Sequence, residues 1–226
     1  MPTIENSSLA KIAEETIDRY SQRYLNFGYD AKTLGWGSFE QQQYRFAQTL
    51  DGPLRFLDSS VLDIGCGFGD YLAFLRGAEQ SISSYEGWDV NLDLVTEATK
   101  RHTEDGNSRF ALRNLMDPSI VEGSLSPVAN IGVMLGVLNF NLAGKVDNYV
   151  YSELAIRRAW ALSDKALVVD FLSSRQDPKY PPEPGVFYHD PERMLSFALS
   201  LSPRVTLKHN YYSIPQREFM LFIERE

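Results

Sequence analysis

Residues 61–70 read VLDIGCGFGD, an apolar run that meets a glycine-rich turn. The run has the length and the Val, Leu and Ile content of a buried strand. Gly65 and Gly67 allow backbone angles, and a close approach of a ligand, that a Cβ would prevent. The residues after Gly69 favour a helix, so the stretch predicts a strand, a tight turn and a helix start that can receive a polar ligand.

Strand-like and helix-like segments alternate outward from this turn. This alternation predicts an α/β fold with a Rossmann-like, doubly wound, mainly parallel seven-stranded sheet. The last two strands have only a short link, which predicts a C-terminal antiparallel hairpin. The other predicted strands read SYEGWDV (84–90), RFALRN (109–114), ANIGVMLGVLNF (129–140), KALVVDFLS (165–173), VTLKHNYYSI (205–214) and EFMLFIERE (218–226).

The segment ahead of the first strand has a different pattern. It combines two amphipathic helices with a loop that contains Gly28, Gly35 and Gly37. Such a composition suits a hinged cover. We expect residues 1–50 to form an N-terminal helical lid over the active site, and residues 51–226 to form the catalytic domain.

Composition excludes several classes of protein. The 226 residues carry a formal net charge of −8 and no basic run, which argues against a nucleic-acid partner. Cys66 is the single cysteine, so no internal disulfide is possible and a reducing compartment fits. No His, Asp or Glu cluster has metal-ligand spacing, and no stretch predicts a membrane span. We expect a cytoplasmic enzyme with a small-molecule substrate and no metal.

Two acidic residues near the glycine turn indicate which kind of ligand it can bind. The turn is not the dinucleotide pattern G-x-G-x-x-G, because Asp70 stands in place of the last glycine. Asp63 lies two residues ahead of the turn, where a carboxylate repels a pyrophosphate but suits a ligand with an ammonium group. Asp89 ends the second strand, where its carboxylate can accept hydrogen bonds from both hydroxyls of a ribose.

At these residues the chain resembles the class I S-adenosylmethionine (SAM)-dependent methyltransferases. The resemblance implies that SAM is the cofactor, with Asp63 facing its amino group and Asp89 holding its ribose. It also implies that the glycine turn lies against the methionine and ribose parts of SAM through Gly65, Cys66 and Gly67.

The same resemblance assigns the adenine and sulfonium ends of the ligand. Val90 would lie beside the adenine, while Leu115 and Met116 would pack on the ring. The family often has an acid after the third strand, where this chain has Asn114, with Asp117 as the alternative. Leu135 and Gly136, in the fourth strand, would form the floor under the sulfonium.

A narrower resemblance lies at residues 34–46, LGWGSFEQQQYRF. This segment is similar to a subgroup of small bacterial methyltransferases with a G-W-G-S…Q…R-F pattern. The similarity implies that Trp36, Gly37 and Arg45 help to hold the methionyl end. Arg45 suits a carboxylate because a guanidinium binds it in bidentate fashion. The alternatives are a salt bridge for Arg45 and a core position for Trp36.

Candidate catalytic residues follow from their places in the chain. Asn139 follows the fourth strand, where it either orients a nucleophile or caps a turn. Tyr24 follows Tyr20 by one helical turn, so both rings can face one cleft, although ordinary helix packing is the favoured explanation. Tyr188 and His189 lie in the long loop after the fifth strand, where His189 is either a general base or a structural residue.

These features favour a SAM-dependent methyltransferase that acts on a small molecule, in bacterial specialised metabolism. The alternative is a SAM-cleaving cyclase of the azetidine-2-carboxylate synthase type, in which the α-amino group of SAM attacks its own γ-carbon and methylthioadenosine leaves. A non-catalytic SAM-binding subunit is a third possibility, but a degraded glycine motif would be expected there and this motif is intact.

Overall fold

A computed structural model describes residues 4–121, 123–142, 144–212 and 216–226. Within these residues, seven strands form a single sheet with the order β3-β2-β1-β4-β5-β7-β6. The strands are β1 (Ser60–Ile64), β2 (Ser84–Asp89), β3 (Ser108–Leu112), β4 (Ala129–Met134), β5 (Ser163–Leu172), β6 (Arg204–Lys208) and β7 (Glu218–Glu224). The first five strands pair in parallel, and β7 runs antiparallel to both β5 and β6. The predicted α/β fold and its C-terminal hairpin are therefore confirmed.

Six helices are present in the same described ranges. They are α1 (Asn6–Phe27), α2 (Phe39–Leu50), α3 (Asp70–Gly77), α4 (Leu92–Arg101), α5 (Asn148–Ala161) and α6 (Pro191–Leu199). Helix α2 begins where the Ser38 hydroxyl accepts a hydrogen bond from the Gln41 N–H at 3.3 Å. No helix in the described part of the chain combines the length and the apolar character needed to cross a membrane.

Apolar residues fill both faces of the sheet. Side chains alternate along a strand, so Val61 and Leu62 of β1 enter different cores. One core packs α5 and α6 against the sheet, and the other packs α2 and α3 against it. Strand β7 is buried along nearly its whole length, as expected for a strand covered on both sides.

Two predicted strands extend well beyond the ends of the observed ones. The predicted fourth strand ran to residue 140, but β4 ends at Met134 because Gly136 takes a φ of 75° and the chain leaves the sheet. A Cβ at Gly136 would lie 3.0 Å from the Trp36 ring, which explains a glycine here. Strand β6 ends at Lys208 rather than at residue 214, and positions 213 and 214 lie outside the described residues.

The parallel strands bring their carboxyl ends to one edge of the sheet. Helix α1 and the start of α2 lie at this edge, so the segment predicted as a lid is next to the glycine turn. The loop between β5 and α6 is irregular, as its proline content predicts, and short bridges join Phe140 to Val186 and Ser173 to His189.

Candidate functional site

The glycine turn connects β1 to α3 at the carboxyl edge of the sheet. Gly65 and Gly67 have φ values of 80° and 54°, in the left-handed region that side chains with a Cβ rarely adopt. The N–H groups of Gly65 and Cys66 both donate to the Trp88 carbonyl, at 2.7 and 3.0 Å. These bonds tie the turn to β2 and leave its glycine surface open to the neighbouring cavity.

Asp89 lies directly against this turn. One carboxylate oxygen accepts the Gly67 N–H at 3.0 Å, and the other accepts the Asn91 N–H at 2.9 Å. Burial raises the pKa of Asp89, while these backbone N–H groups lower it. With the Val90 N–H as a third backbone donor, the carboxylate still keeps part of its acceptor capacity for a donor from a ligand.

Asp63 lies on the other side of the turn, in β1. Its carboxylate accepts a hydrogen bond from the Tyr85 hydroxyl. The pKa of Asp63 is raised to about 7, mainly by burial and also by the negative charges of Asp89 and Asp70, while the Tyr85 bond opposes the rise. A cationic donor placed beside Asp63 would favour its ionised form.

A cavity of about 150 Å³ lies over these groups. It brings together most of the residues that the sequence assigned to SAM binding. Those that line it are Trp36, Asp63, Gly65, Cys66, Gly67, Asp89, Val90, Asn114, Leu115, Met116, Leu135 and Gly136. The Asn114 side-chain oxygen accepts the Met116 N–H at 2.8 Å, whereas Asp117 does not line the cavity and instead binds Ser119.

Arg45 and Gly37 are not among the residues that line this cavity. The Arg45 guanidinium forms an ion pair with Glu218, and its carbon Cζ lies 4.9 Å from the centre of the Trp36 ring. Gly37 is exposed beside α2. Arg45 therefore follows the salt-bridge alternative, in a buried setting. Its carboxylate partner in this structure is Glu218 and not a group in the cavity.

The ion pair with Glu218 explains why the Arg45 side chain does not line the cavity. Glu218 begins β7 in a buried position, and burial raises its pKa to about 8 while Arg45 lowers it. Asp170 lies in the same cluster, where it accepts the Gly136 N–H at 2.6 Å and burial raises its pKa to about 6. Two buried carboxyl groups thus face one guanidinium, which can balance the charge of only one of them.

Asn139 lies outside the cavity wall, although its neighbours Leu138 and Phe140 line it. Its side-chain oxygen accepts the Leu172 N–H at 3.0 Å, and its carbonyl accepts the Phe187 N–H at 3.0 Å. These bonds fasten the loop after β4 to the end of β5. The geometry supports the structural alternative for Asn139 rather than the catalytic one.

His189 and Tyr188 are also structural in this arrangement. His189 is fully buried, with its Nε2 atom 2.9 Å from the Ser152 hydroxyl and its ring 4.8 Å from that of Phe171. Burial lowers the pKa of His189 to about 3, which does not suit a general base near neutral pH. The Tyr188 hydroxyl accepts the Glu183 N–H at 2.9 Å, and neither side chain lines the cavity.

The two candidate tyrosines of α1, Tyr20 and Tyr24, lie in different surroundings. Tyr20 lines the cavity and packs edge-on against Phe140, with 6.0 Å between the ring centres. Tyr24 is not a cavity residue, since its hydroxyl donates to Glu97 at 3.2 Å and its ring packs against Phe68. Tyr24 therefore does not reach the cavity in this structure. The tyrosine of α1 that lines the cavity is Tyr20, one helical turn earlier.

Several cavity residues were not assigned to the site from the sequence. The apolar face of α1 contributes Leu9, Ile12, Ala13 and Thr16. Its helical spacing predicts a buried face, but not which element covers it. Gln42, Phe140 and Tyr151 also line the cavity. Gln42 lies in a run of three glutamines, so nothing in the local pattern distinguishes it from its neighbours.

Solved structures with the same fold are numerous. Magnesium protoporphyrin IX methyltransferase (ChlM) from Synechocystis PCC 6803, with bound SAH, is 17% identical with a TM-score of 0.59, and the alignment covers 94% of this chain and 95% of that one. An O-methyltransferase family protein from Burkholderia thailandensis is 17% identical with a TM-score of 0.53, over 98% of this chain and 58% of that one. The small RNA methyltransferase HEN1 is 16% identical with a TM-score of 0.57, over 83% and 25% of the two chains.

At this level of identity the similarity establishes the fold alone. The chain has the class I methyltransferase fold. No protein-family model and no curated protein matches the sequence. The narrower resemblance to a G-W-G-S…Q…R-F subgroup therefore stays a prediction.

Proposed function

We propose that this chain is a SAM-dependent methyltransferase that acts on a small molecule. The observation that carries the proposal is the Asp89 carboxylate, which lies over the glycine turn at the wall of the cavity. A carboxylate with free acceptor capacity beside a glycine-rich turn fits the ribose of a nucleoside ligand. The methyltransferase fold supports the same interpretation.

The remaining cavity residues fit the other parts of SAM. Val90, Leu115 and Met116 provide apolar surface for a flat purine ring, and the Asn114 amide lies at the same end. The buried Asp63 carboxylate suits the ammonium group. Arg45 does not serve the carboxylate of SAM in this arrangement, because it pairs with Glu218.

Bound SAM would supply an activated methyl group on a sulfonium. The chain's own contribution is a chamber with aromatic walls from Trp36, Tyr20 and Phe140, whose ring faces attract a cation. Among the described residues no histidine lines the cavity. We infer that the protein works by alignment of the acceptor and exclusion of water rather than by a strong general base.

A small-molecule acceptor fits the enclosure and the charge of the protein. The net charge of −8 disfavours a phosphate backbone, and α1 lies across the cavity. We propose that residues 1–50 act as a lid that opens to admit the acceptor, over a catalytic domain of residues 51–226. The proposal includes the role in specialised metabolism expected from the sequence.

Product analysis by mass spectrometry tests this function. Purified protein is incubated with SAM, alone and with a panel of small amines, phenols and carboxylic acids. We expect S-adenosylhomocysteine (SAH) and a methylated product only when an acceptor is present. Methylthioadenosine formed from SAM alone, above the level of a sample without protein, would instead identify the intramolecular cyclase and overturn methyl transfer.

A further inference from the structure

Gln42 has a buried acceptor atom without a protein partner. This residue of α2 is 1% exposed and lines the cavity. Its Nε2 group donates to the Asp70 carboxylate at 3.0 Å. Within the described part of the chain, its Oε1 atom has no hydrogen-bond partner. A buried carbonyl oxygen without a donor is unfavourable, which points to a donor that the protein itself does not supply.

The orientation of the Gln42 amide follows from its neighbours. The Tyr29 hydroxyl donates to the other Asp70 oxygen at 2.8 Å, and both oxygens of this carboxylate are acceptors. The nitrogen of Gln42 must therefore face Asp70, because the opposite orientation would set two acceptors against each other. The hydrogen bonds from Tyr29 to Asp70 and from Gln42 to Asp70 thus fix the amide so that the Gln42 Oε1 atom points away from Asp70.

The surroundings of this atom favour a cation. One end of the cavity lies where α2, β1 and α3 meet, and we call it the acceptor corner. Its acceptor oxygens belong to Gln42, Asp63 and Asp70. Arg113, which follows β3 on the far side of β2, is the one Lys, Arg or His side chain among the described cavity residues. The corner therefore offers oxygens and negative charge, which suit an ammonium group with three N–H donors.

We propose that the Gln42 side-chain oxygen accepts a hydrogen bond from the α-ammonium group of the methionyl part of SAM. Asp70 and Tyr29 are then positioning residues that fix the Gln42 amide. This inference rests on the proposed function, since it assigns one end of the same ligand. It also gives the methionyl end a polar contact from the N-terminal segment in place of the one expected from Arg45.

The test compares ligands that differ in this one group. Calorimetry measures the binding of SAH, of an SAH analogue with hydrogen in place of the α-amino group, and of methylthioadenosine, which lacks the amino acid altogether. In the Gln42→Met variant we expect SAH to bind about 10- to 100-fold more weakly, the effect of one hydrogen bond to a charged group. Binding of the other two ligands should change less than threefold.

Two further variants make the test specific. Gln41→Met is the matched control, because Gln41 also has a buried oxygen without a partner among the described residues but does not line the cavity. It should bind SAH like the natural protein. In Gln42→Glu two ionised carboxylates would repel each other at the Asp70 contact, so the pair takes up a proton that the new carboxyl group donates to Asp70. The variant then keeps the shape and an acceptor oxygen at the free end, so it should retain the preference for SAH over the deaminated analogue even if Gln42→Met folds poorly.

The possible outcomes distinguish a failure of the role assigned to Gln42 from a failure of the proposed function. Equal weakening of SAH and its deaminated analogue in Gln42→Met, or loss of the preference in Gln42→Glu, would overturn the role of Gln42 alone. A natural protein that binds neither SAH nor methylthioadenosine would overturn the proposed function and this assignment together.

Discussion

Asp89 has two roles in this site, because its carboxylate serves both the protein and the proposed ligand. It accepts the N–H groups of Gly67 and Asn91, so it holds the glycine turn against the start of α4. Its remaining acceptor capacity faces the cavity. The second role stays a prediction from the strand-end position, whereas the first follows from distances that only the folded chain defines.

Replacing this carboxylate should therefore affect binding and stability together. We expect Asp89→Ala to weaken SAH binding by about 1.5–3 kcal/mol, the scale of hydrogen bonds to a charged group. The free energy of unfolding should fall by about 1–3 kcal/mol, because two backbone N–H groups lose their acceptor. Calorimetry and urea unfolding measure the two effects, and unchanged SAH affinity in a folded variant would remove Asp89 from the site.

His189 makes a separate contribution that depends on pH. Burial lowers its pKa to about 3 in the folded protein, against about 6.5 in an unfolded chain. The unfolded state therefore binds more protons between these two pH values. The stability that the neutral buried ring provides is complete above about pH 6.5 and is lost as the pH falls below it.

The variant His189→Gln isolates this effect, since glutamine does not titrate and can still reach Ser152. We expect the natural protein to lose about 2 kcal/mol more unfolding free energy than the variant between pH 7 and pH 5. Other buried groups, such as Asp63 with its raised pKa, are common to both proteins and cancel in the difference. Parallel pH profiles from urea unfolding would show that His189 does not titrate as a buried histidine.

At the scale of elements, α1 is fastened to the body of the protein through α4. The Asn91 side chain begins α4 by accepting the Leu94 N–H, and it donates to the Ile17 carbonyl at 3.0 Å and the Ser21 hydroxyl at 2.9 Å. Because Asn91 is fully buried, these bonds are shielded from water. One side chain therefore couples the start of α4 to the helix that covers the cavity.

Asn91→Ser tests this coupling. Serine keeps the capacity to cap α4 but has no amide donors for α1. We expect hydrogen exchange in α1 to become roughly 5- to 30-fold faster, which corresponds to 1–2 kcal/mol, while α4 stays protected. Asp147→Ser, at the start of α5, is the control because its side chain caps Val150 and should leave α1 unchanged. Unaltered exchange in α1 would mean that other contacts hold it.

The elements that the sequence predicts well are those with local causes. The apolar run of β1, the glycine turn and the strand-end Asp89 each follow from residue types and spacing, and they meet at one cavity. The end of β4 was misplaced because apolar residues continue to position 140 after the chain has left the sheet. Apolar character alone does not distinguish a strand from a buried loop.

The site predictions for Arg45 and His189 rest on the chemistry of their side chains alone. In the structure Glu218 binds the first and an aromatic cluster encloses the second. Both partners are distant in sequence, so local pattern does not reveal them. Gln42 was passed over for the opposite reason, since its importance lies in a tertiary contact with Asp70.

For the molecule as a whole, we propose that the carboxyl edge of this sheet binds SAM rather than a dinucleotide. The chain has the methyltransferase fold, and Asp63 and Asp89 flank the glycine turn. The Asp63 carboxylate opposes a pyrophosphate and favours a ligand with an ammonium group, while Asp89 suits the hydroxyls of a ribose. A ligand that binds only the folded state also stabilises it, so binding should raise the melting temperature.

Isothermal titration calorimetry of the purified protein with SAH and with NADH tests this claim most directly. We expect SAH to bind with a stoichiometry of one per chain, and NADH to give no heat of binding at the same concentrations. Binding of NADH without binding of SAH would contradict the account.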